Sequence, residues 1–388
     1  MKKESVSLFT DLYIKQGSIS QVYSHIGLSD RQDNNLIHHS NTPVKDKKIY
    51  SFSHVPDHLK IKVFDSEGMT ERMFPTVKGH AIRLEGYSSA DAYLRHQNKK
   101  QRENINRARR RLESCFDIQY KLFHHQIEET DYEFLMERLR SMIVQRFEQR
   151  GQKSSTLAIW DKVYATSFDL INQGKASLFV VYDKDLPIAF SFNYIYDRLL
   201  FGYISSYDLD YGKFSLGQIV IYKLLEWCMD NEFIQYDMGW GDLDYKKWWC
   251  NTSYRFNHHF YYPKYSIKGF LHAQFKGNRS RILAFLIAKG VNTQVNKIKR
   301  KLKGQPMKPH LGPQYRFMDV DSSKTRALDE IKMHHEQLPF SKKVINDFLF
   351  ATQEHSDHVS LYYSANKDHY ILKGQTKTKS ILFNPTNH

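Results

Sequence analysis

The feature that most restricts the fold is an ordered succession of helices and strands between residues 135 and 239. Two helices are predicted first, because apolar residues recur at helical spacing in two runs. These residues are Leu135, Leu139, Met142, Ile143 and Phe147, and then Ile159, Trp160, Val163, Tyr164, Phe168 and Ile171. Three strand-like segments follow, SLFVVYD, LPIAFSFNYIYD and LLFGYISSYD, and their β-branched and aromatic residues predict an antiparallel meander. A loop, an amphipathic helix from Leu216 to Met229 and the strand FIQYDMG complete the order.

The regions on either side of this pattern are less regular. Lys60–Phe64 and Ala81–Leu84 read as short strands, and a basic helix is predicted to begin at Ser88 or Ser89. Prolines after Gln305 mark a linker. We therefore predict a polar segment at 1–45, a first half-domain at 46–125, a main domain at 126–265, a basic helical segment at 266–304 and a C-terminal extension of unknown role at 305–388.

Composition excludes several classes of protein. Hydrophobic residues make up 41% and aromatic residues 14% of the chain, which is enough to fill cores and excludes wholesale disorder. The three cysteines form no CxxC pair, so neither a disulfide framework nor a thiolate zinc site is expected. The N-terminus lacks the apolar run of a signal peptide, and the longest apolar stretch, Ile282–Ala288, is too short to span a bilayer. We expect a cytoplasmic protein, with peripheral attachment to the inner face of the cell membrane as an option.

The charge is concentrated in one window. The chain has 57 Lys and Arg against 42 Asp and Glu. Between Tyr245 and Met318 there are 16 Lys and Arg and no carboxylate, so this window supplies the whole excess. Positive charge concentrated in one segment favours an anionic partner, which could be a membrane surface, RNA, or a phosphate-rich or acidic ligand.

Two basic segments are candidates for contacting that partner. Gln274–Lys303 is predicted to be a helix. Together with its neighbours, as the segment 264–304, it could lie on an anionic membrane surface. Its apolar side carries Phe275, Ile282, Phe285, Leu286 and Ile287. The alternative is a core-covering helix with a solvated basic face. The run Arg95–Arg111 could hold phosphate or could equally be a solvated helix face.

Several sequence elements together resemble one family. They are Leu186-Pro187-Ile188-Ala189, Phe214-Ser215-Leu216-Gly217, Tyr236-Asp237-Met238-Gly239, Gly241-Asp242 and Tyr245-Lys246, preceded by a basic stretch, AIRLEGYSSADAYLRHQNKKQRENINRARRRLES. With the order of elements, they resemble the GNAT acyltransferases, and specifically the FemAB-like branch found among bacterial cellulose and exopolysaccharide biosynthesis acetyltransferases. The resemblance covers about Phe74 to Tyr262. It implies an α/β (α+β) GNAT-like fold, in tandem with a degenerate first GNAT-like half, with a mixed central sheet flanked by helices.

A donor site is expected where the glycine loop opens the helix at Leu216. Gly212 and Gly217 lie in or beside this loop, and the free N–H groups and positive dipole of a helix N-terminus suit a pyrophosphate. Ser215 fits the N-cap position. The resemblance implies acetyl-CoA or another acyl-CoA as co-substrate and no metal. The implied donor-binding residues are Tyr203, Ser205, Gly212, Ser215, Leu216, Gly217 and Gln218. The alternative is a plain capped helix after a loop.

Three residues are candidates for catalysis. Asp237 ends a strand beside the implied cleft and could take the proton from an attacking amine or hydroxyl if burial raises its pKa. Otherwise it caps the glycine loop that follows. Tyr245 is a candidate proton donor to the leaving thiolate, and Lys246 is a candidate to stabilise negative charge on the thioester oxygen or to hold an acidic acceptor. Either could equally be an exposed loop residue.

Other chemistries have little support in the sequence. The chain has 19 histidines, but His258 and His259 are adjacent on a predicted strand and so face opposite sides. The pair His355 and His358 lacks an identifiable third metal ligand. No GxSxG, Walker A, HExxH or dinucleotide-type glycine run is present, which removes the common hydrolase, kinase and dehydrogenase interpretations.

Three functions remain. The first is acyl transfer, with acetyl as the expected group, from coenzyme A to an amine or hydroxyl of a sugar or amino-acid-like acceptor, with a lipid-linked acceptor as an option, in bacterial polysaccharide or envelope biosynthesis. The second keeps the fold but takes aminoacyl-tRNA as the donor, as in other FemAB-like transferases. The third is a non-catalytic scaffold adsorbed on a membrane.

Overall fold

The computed structural model describes residues 3–8, 23–28, 35–38, 48–63, 68–97, 99–241, 243–289, 291, 315–321, 328–331, 340, 342–364 and 369–383. The strands are β1 Lys3–Ser7, β2 Tyr23–Leu28, β3 Asn35–His38, β4 Ile49–Pro56, β5 Leu59–Val63, β6 Met69–Arg83, β7 Ile118–Phe123, β8 Ala176–Asp183, β9 Leu186–Tyr196, β10 Leu199–Tyr207, β11 Gln235–Trp240, β12 Thr252–Pro263, β13 Tyr315–Asp319, β14 Asp329–Ile331, β15 Ser360–Ser364, β16 His369–Lys373 and β17 Thr378–Phe383. The α-helices are α1 Ala90–Gln97, α2 Lys99–Cys115, α3 Glu129–Gln149, α4 Trp160–Asn172, α5 Leu216–Asp230, α6 Asp244–Trp249, α7 Ile267–Ala288 and α8 Lys342–Thr352. Short 3-10 helices lie at Leu157–Ile159, Leu209–Phe214 and Ser356–His358.

Nine of the described strands form one mixed sheet, in the order β1-β4-β12-β6-β11-β10-β9-β8-β7. Strands β7 to β10 pair antiparallel as a meander, and β10 then pairs parallel with β11. On the other side of β11 come β6 and β12, both antiparallel to their neighbours. The sheet therefore joins the predicted meander to strands that lie far from it in the chain.

Helices cover both faces of the meander, which explains why almost every residue of β8 and β9 is buried. On one face, α3 and α4 pack against the strands through apolar residues such as Leu139 and Ile171. On the other face, α1, α2 and α5 pack around Leu112 and Leu224. The C-terminal five-stranded sheet, in the order β13-β17-β16-β15-β14, shares this second core together with α8. A separate three-stranded sheet has the order β3-β2-β5.

Most predicted elements are confirmed. The meander is present, α5 begins at Leu216, and β5 matches the strand predicted at Lys60–Phe64. The basic helix begins after Ser89, whose Oγ accepts a hydrogen bond of 3.1 Å from the N–H of Ala92. It is two helices, α1 and α2. The mixed α/β class with a central mixed sheet flanked by helices is also confirmed.

Two predicted elements differ in their bounds. The strand predicted at Ala81–Leu84 is the end of the much longer β6, whose earlier residues alternate between the two faces less regularly. The helix predicted from Gln274 begins earlier, at Ile267, because Ser266 caps it by accepting a bond from the N–H of Gly269. Residues 292–303 of that prediction lie outside the described residues. The five domain boundaries stay predictions; the sheet itself continues across the one placed between 125 and 126.

Candidate active site

The site lies where two parallel strands separate. Strands β10 and β11 pair over only three residues each, ending at Phe201 and Asp237. Beyond this point β10 continues alongside β9, while β11 continues alongside β6. A β-bulge at Gly202–Ile204 helps to turn β10 away. Tyr203 and Ser205, predicted to bind the donor, lie on this separated part of β10. The result is a fork whose edge offers backbone groups to a ligand.

Asp237 is buried where the strands part. Its side chain is 3% exposed, and burial raises the pKa of the carboxyl to about 6. The increase is limited by hydrogen bonds that favour the ionised form. The N–H of Gly239 donates to Oδ1 at 2.6 Å, and the hydroxyl of Tyr254 donates to Oδ2 at 2.6 Å. A carboxylate with a pKa near neutrality can accept a proton from an acceptor and release it again.

Tyr254 is a site residue that sequence reasoning missed. It lies on β12, and its ring crosses over β6 at Gly79 to reach Asp237. A methyl group at Gly79 would overlap the ring, so a glycine is needed for this approach. The ring edge of His58 also packs on Tyr254, with centroids 4.7 Å apart. No local pattern marks Tyr254, because its role depends on the pairing of strands distant in the chain.

An aromatic wall, formed by Phe201, Trp240, Phe256 and His54, stands beside Asp237. The Trp240 side chain is 44% exposed. Its ring centroid lies 5.6 Å from that of His54, 6.0 Å from that of Phe256 and 6.4 Å from that of Phe201. Phe201 and Phe256 are buried, so the exposed rings of this wall are those of Trp240 and His54. An exposed aromatic face with a nearby polar group suits an acceptor that is apolar on one side and hydroxylated on the other.

Lys246 is buried and holds the backbone at the end of β11. Its Nζ donates to the carbonyl oxygens of Met238 at 2.7 Å, Gly239 at 3.4 Å and Trp240 at 2.6 Å. An ammonium has three donors, and three carbonyls accept from it here. The contacts also stabilise the left-handed backbone of Gly239, at φ 68°. The geometry therefore favours a structural role for Lys246, in place of the predicted contact with a thioester oxygen or an acidic acceptor.

Tyr245 lies on α6, half-buried, beside Arg146. Burial raises the pKa of the Tyr245 hydroxyl, and the Arg146 guanidinium opposes this rise. A phenol of this kind is protonated at neutral pH, which a proton donor requires. Asp242, part of the resemblance, lies outside the described residues.

The other five residues predicted to hold the donor lie in or just before the first turn of α5, with two corrections. Ser215 occupies the N-cap position, but its side chain makes no capping bond, because the residue is left-handed, at φ 57°. Gly212 lies within the 3-10 helix Leu209–Phe214 and not in an open loop. The first N–H groups to bond within the helix are those of Gln218 and Ile219, which donate to the carbonyl of Ser215. The N–H groups of the preceding residues are those that a helix leaves for an anion.

Gln218 and Gly217 contribute to the same turn in different ways. The side-chain oxygen of Gln218 accepts a 2.6 Å bond from the indole of Trp249, which fixes α6 to the start of α5. Leu216 is buried in the core beneath it. A Cβ at Gly217 would lie 3.7 Å from the ring of Tyr207, at the end of β10. The first turn of α5 therefore directly adjoins the open end of the fork.

Arg146 is a second residue that sequence reasoning missed. Its guanidinium lies over the ring of Tyr207 at 4.7 Å from the centroid. Within the part of the chain that the structure describes, no carboxylate forms an ion pair with it. An arginine stacked on an aromatic ring beside a helix N-terminus is a suitable phosphate contact. The helical spacing of α3 alone did not indicate which of its basic residues faces the fork.

The histidines singled out in the sequence have protein partners. His258 bonds to Ser51 and Ser280, while His259 bonds to Glu71, as expected for opposite faces of a strand. One cluster, Asp117, His355 and Asp357, has its ligand atoms within 4.8 Å of one another. The ammonium of Lys184 already pairs with both of its carboxylates, at 3.7 Å and 2.5 Å. No described helix is long and apolar enough to cross a membrane.

Comparisons with solved structures give many matches of low similarity. The crystal structure of FemX is 10% identical, with a TM-score of 0.42 over 59% of this chain and 74% of FemX. The C-terminal domain of a putative lysylphosphatidylglycerol synthetase from Agrobacterium fabrum is 7% identical, with a TM-score of 0.38 over 55% of this chain and 67% of that one. A conserved protein of unknown function from Bacteroides thetaiotaomicron is 8% identical, with a TM-score of 0.39 over 57% and 71%. Scores this low do not indicate an activity.

Two comparisons used the sequence. The search of curated proteins found no match to the chain. Residues 99–247 match the family model described as an acetyltransferase (GNAT) domain. This range begins at α2, ends within α6 and contains the whole meander, the fork and α5. The FemAB-like branch and the link to cellulose or exopolysaccharide synthesis stay predictions. Residues 99–247 of the protein are thus similar to an acetyltransferase (GNAT) domain.

Proposed function

We propose that the protein is an acyl-CoA-dependent N- or O-acyltransferase, with acetyl as the transferred group. The acceptor is a sugar or an amino-acid-like molecule, with a lipid-linked form as an option, and the expected pathway is bacterial polysaccharide or envelope biosynthesis. One observation carries this proposal. Strands β10 and β11 part immediately beyond Asp237, so a buried carboxylate stands where a donor placed between the strands would present its acyl group.

The donor would lie along the open side of β10. Its pyrophosphate would accept hydrogen bonds from the first turn of α5 and contact the guanidinium of Arg146. Its pantetheine arm would pair with the backbone near Tyr203 and Ser205, and its thioester would then reach the fork at Asp237. The proximity of Tyr207 to both Arg146 and Gly217 supports a single continuous donor site.

The reaction is a direct transfer. The acceptor nitrogen or oxygen attacks the thioester carbonyl, and the new C–N or C–O bond replaces the C–S bond. Asp237 accepts the acceptor's proton, either directly or through the hydroxyl of Tyr254, which passes its own proton to Asp237. Tyr245 gives a proton to the departing thiolate, so that free coenzyme A thiol is released. Lys246 contributes by holding the carbonyls of β11.

The acceptor would lie against the aromatic wall. The partly exposed ring of Trp240 offers an apolar surface there, and it lies on the strand that carries Asp237. An apolar ring face on Trp240 would leave an acceptor hydroxyl or amine free to approach the carboxylate. This arrangement favours a cyclic polyol over a long flexible chain.

Isothermal titration of the purified protein with acetyl-CoA and longer acyl-CoAs tests the donor site. We expect micromolar binding, lost in Gly217→Trp, which fills the space beside Tyr207, and weakened about tenfold or more in Arg146→Gln, because a desolvated charged contact is removed. Arg140→Gln is the matched control, since Arg140 is an exposed residue of the same helix. Absence of binding to every acyl-CoA would reject an acyl-CoA donor.

The second candidate donor is aminoacyl-tRNA. The exposed basic residues of α2 favour it: Lys99, Lys100, Arg107 and Arg110 lie on its outer face. Binding of this donor would weaken steeply with salt, since each phosphate contact releases counterions. A chain that binds tRNA in this way and no acyl-CoA would support the second candidate. A chain that binds neither would support the non-catalytic scaffold.

A further inference from the structure

The outward face of α7 carries apolar residues from its first turn to its last, interrupted by the exposed Asn278. Five residues at positions that share one side of a helix are each between 59% and 75% exposed. They are Ile267, Leu271, Phe275, Ile282 and Phe285. No described residue covers this stripe. An exposed apolar surface of this extent is typical of an interaction site.

The opposite face of α7 fixes its orientation. The helix packs on β6 and β12 through small residues, so its backbone comes close to the sheet. Gly269 lies against the ring of Tyr262, and Gly277 lies against Phe74, where a methyl group would overlap the ring. Further along, Ser280 bonds to His258 at 2.9 Å. Burial lowers the pKa of His258 to about 4, so this link is uncharged at neutral pH. The apolar stripe is therefore held facing outward.

Basic residues border the stripe. All four charged side chains of α7, those of Lys268, Lys276, Arg279 and Arg281, are exposed and positive. At 100° per residue, Lys268 and Arg279 lie on one flank and Arg281 on the other. The surrounding window Tyr245–Met318 holds no carboxylate that would neutralise them. The surface thus combines a central apolar stripe with a positive border.

We propose that this face of α7 docks on an anionic lipid bilayer, lying in the plane of the interface. The apolar stripe would enter the headgroup boundary while the flanking lysines and arginines contact lipid phosphates. A second copy of the chain fits less well. A symmetric contact through α7 would place these positive borders against each other, with no carboxylate in either helix to balance them.

The docking would bring the proposed acceptor site toward the bilayer. Helix α7 runs antiparallel to β12, since Gly269 meets Tyr262 and the later Ser280 meets the earlier His258. From His258 it is about 13 Å along the strand to Tyr254, at 3.3 Å per residue. The last turns of α7 cover about 12 Å in the same direction. The C-terminal end of α7 therefore points toward the end of the sheet that carries Asp237.

Sedimentation with lipid vesicles tests the proposal. The full chain is mixed with vesicles of phosphatidylcholine alone or with one third phosphatidylglycerol. We expect binding to the anionic vesicles only, weakened by added salt. The triple variant Leu271→Gln/Phe275→Gln/Ile282→Gln should reduce partitioning at least tenfold, and Lys268→Gln/Arg279→Gln should reduce it severalfold. Phe134→Gln is the matched control, because Phe134 is an equally exposed residue on α3.

Three results would overturn the proposal. They are equal binding to neutral and anionic vesicles, equal binding by the wild type and the triple variant, and a stable dimer in solution that the triple variant abolishes. The last would assign the face to a second copy. Circular dichroism and thermal unfolding of the triple variant check that it is folded. The docking does not depend on acyl transfer, so a chain that binds vesicles but no acyl-CoA would reject the proposed function alone.

Discussion

The hydroxyl of Tyr254 donates a 2.6 Å hydrogen bond to Oδ2 of Asp237, although the two residues lie on strands separated by a third. The intervening strand, β6, places Gly79 beneath the Tyr254 ring, where any side chain would block the approach. The contact joins the fork between β10 and β11 to the side of the sheet that carries α7. A phenol and a carboxylate so linked can pass a proton between an acceptor and a buried group.

Replacing Asp237 by Asn should remove most of the activity while keeping the fold. A positioned base contributes about 10² to 10⁴ in rate, and Asn can still accept one of the bonds that Asp237 now accepts. Acetyl transfer by the purified variant, measured with donor binding by titration, checks this. Unchanged turnover with intact donor binding would remove Asp237 from the mechanism. Asp244→Asn is a suitable control, because Asp244 is exposed on α6.

The pH dependence of turnover should report the ionisation of Asp237. Because burial raises its pKa to about 6, the rate should rise as pH increases through 6 and then level off. The Tyr254 hydroxyl bond opposes that rise in pKa, so Tyr254→Phe should move the profile to higher pH. A profile in Tyr254→Phe that is unshifted, or shifted to lower pH, would contradict the link between the two residues.

Stability should change with pH through the same group, in the opposite sense to activity. The folded carboxyl holds its proton up to about pH 6, whereas the unfolded one releases it near its ordinary 3.8. The stability that the protonated Asp237 carboxyl contributes is fully present below pH 3.8 and is lost as the pH rises through 6. Two pKa units correspond to about 3 kcal/mol. The wild type should therefore lose up to that amount of stability between pH 4 and pH 7, whereas Asp237→Asn should not. Denaturant titration of both proteins at the two pH values measures this difference in the free energy of unfolding.

Gly79→Ala should damage the site without replacing a proposed reacting group. The added methyl would overlap the Tyr254 ring and displace its hydroxyl from Asp237. We expect turnover to fall by at least tenfold, with the pH profile displaced upward as in Tyr254→Phe. Gly68→Ala, where a Cβ meets nothing within 4 Å, is the control. A normal profile in Gly79→Ala would show that the ring does not need this space.

Lys246→Met should lower stability first and activity as a consequence. The substitution leaves the carbonyls of Met238, Gly239 and Trp240 without their donor, and each buried unsatisfied group costs about 1–3 kcal/mol. Thermal unfolding should shift down by several degrees, while the exposed neighbour in Lys247→Met should have little effect. A fully stable Lys246→Met protein with normal donor binding and lost turnover would instead favour the direct catalytic role.

Local sequence patterns were sufficient for the elements that form by short-range rules. Helical spacing predicted α3 and α4. Segments rich in β-branched and aromatic residues, separated by short turns, predicted the meander of β8, β9 and β10. The same patterns identified the start of α5 and the strand carrying Asp237. They could not supply the strand partners, because β6 and β12 reach the sheet from distant parts of the chain.

The sequence by itself determined the order of elements, the acyltransferase resemblance, the basic window and the candidates Asp237 and Gly217. Only the tertiary structure decided which groups meet: Tyr254 at Asp237, Arg146 beside Tyr207, and Lys246 on the carbonyls of β11. The physical reason is one of range. Helix and strand formation depends on residues a few positions apart, whereas the contact of Tyr254 with Asp237 depends on β6, which pairs with β11 and β12 across more than a hundred residues.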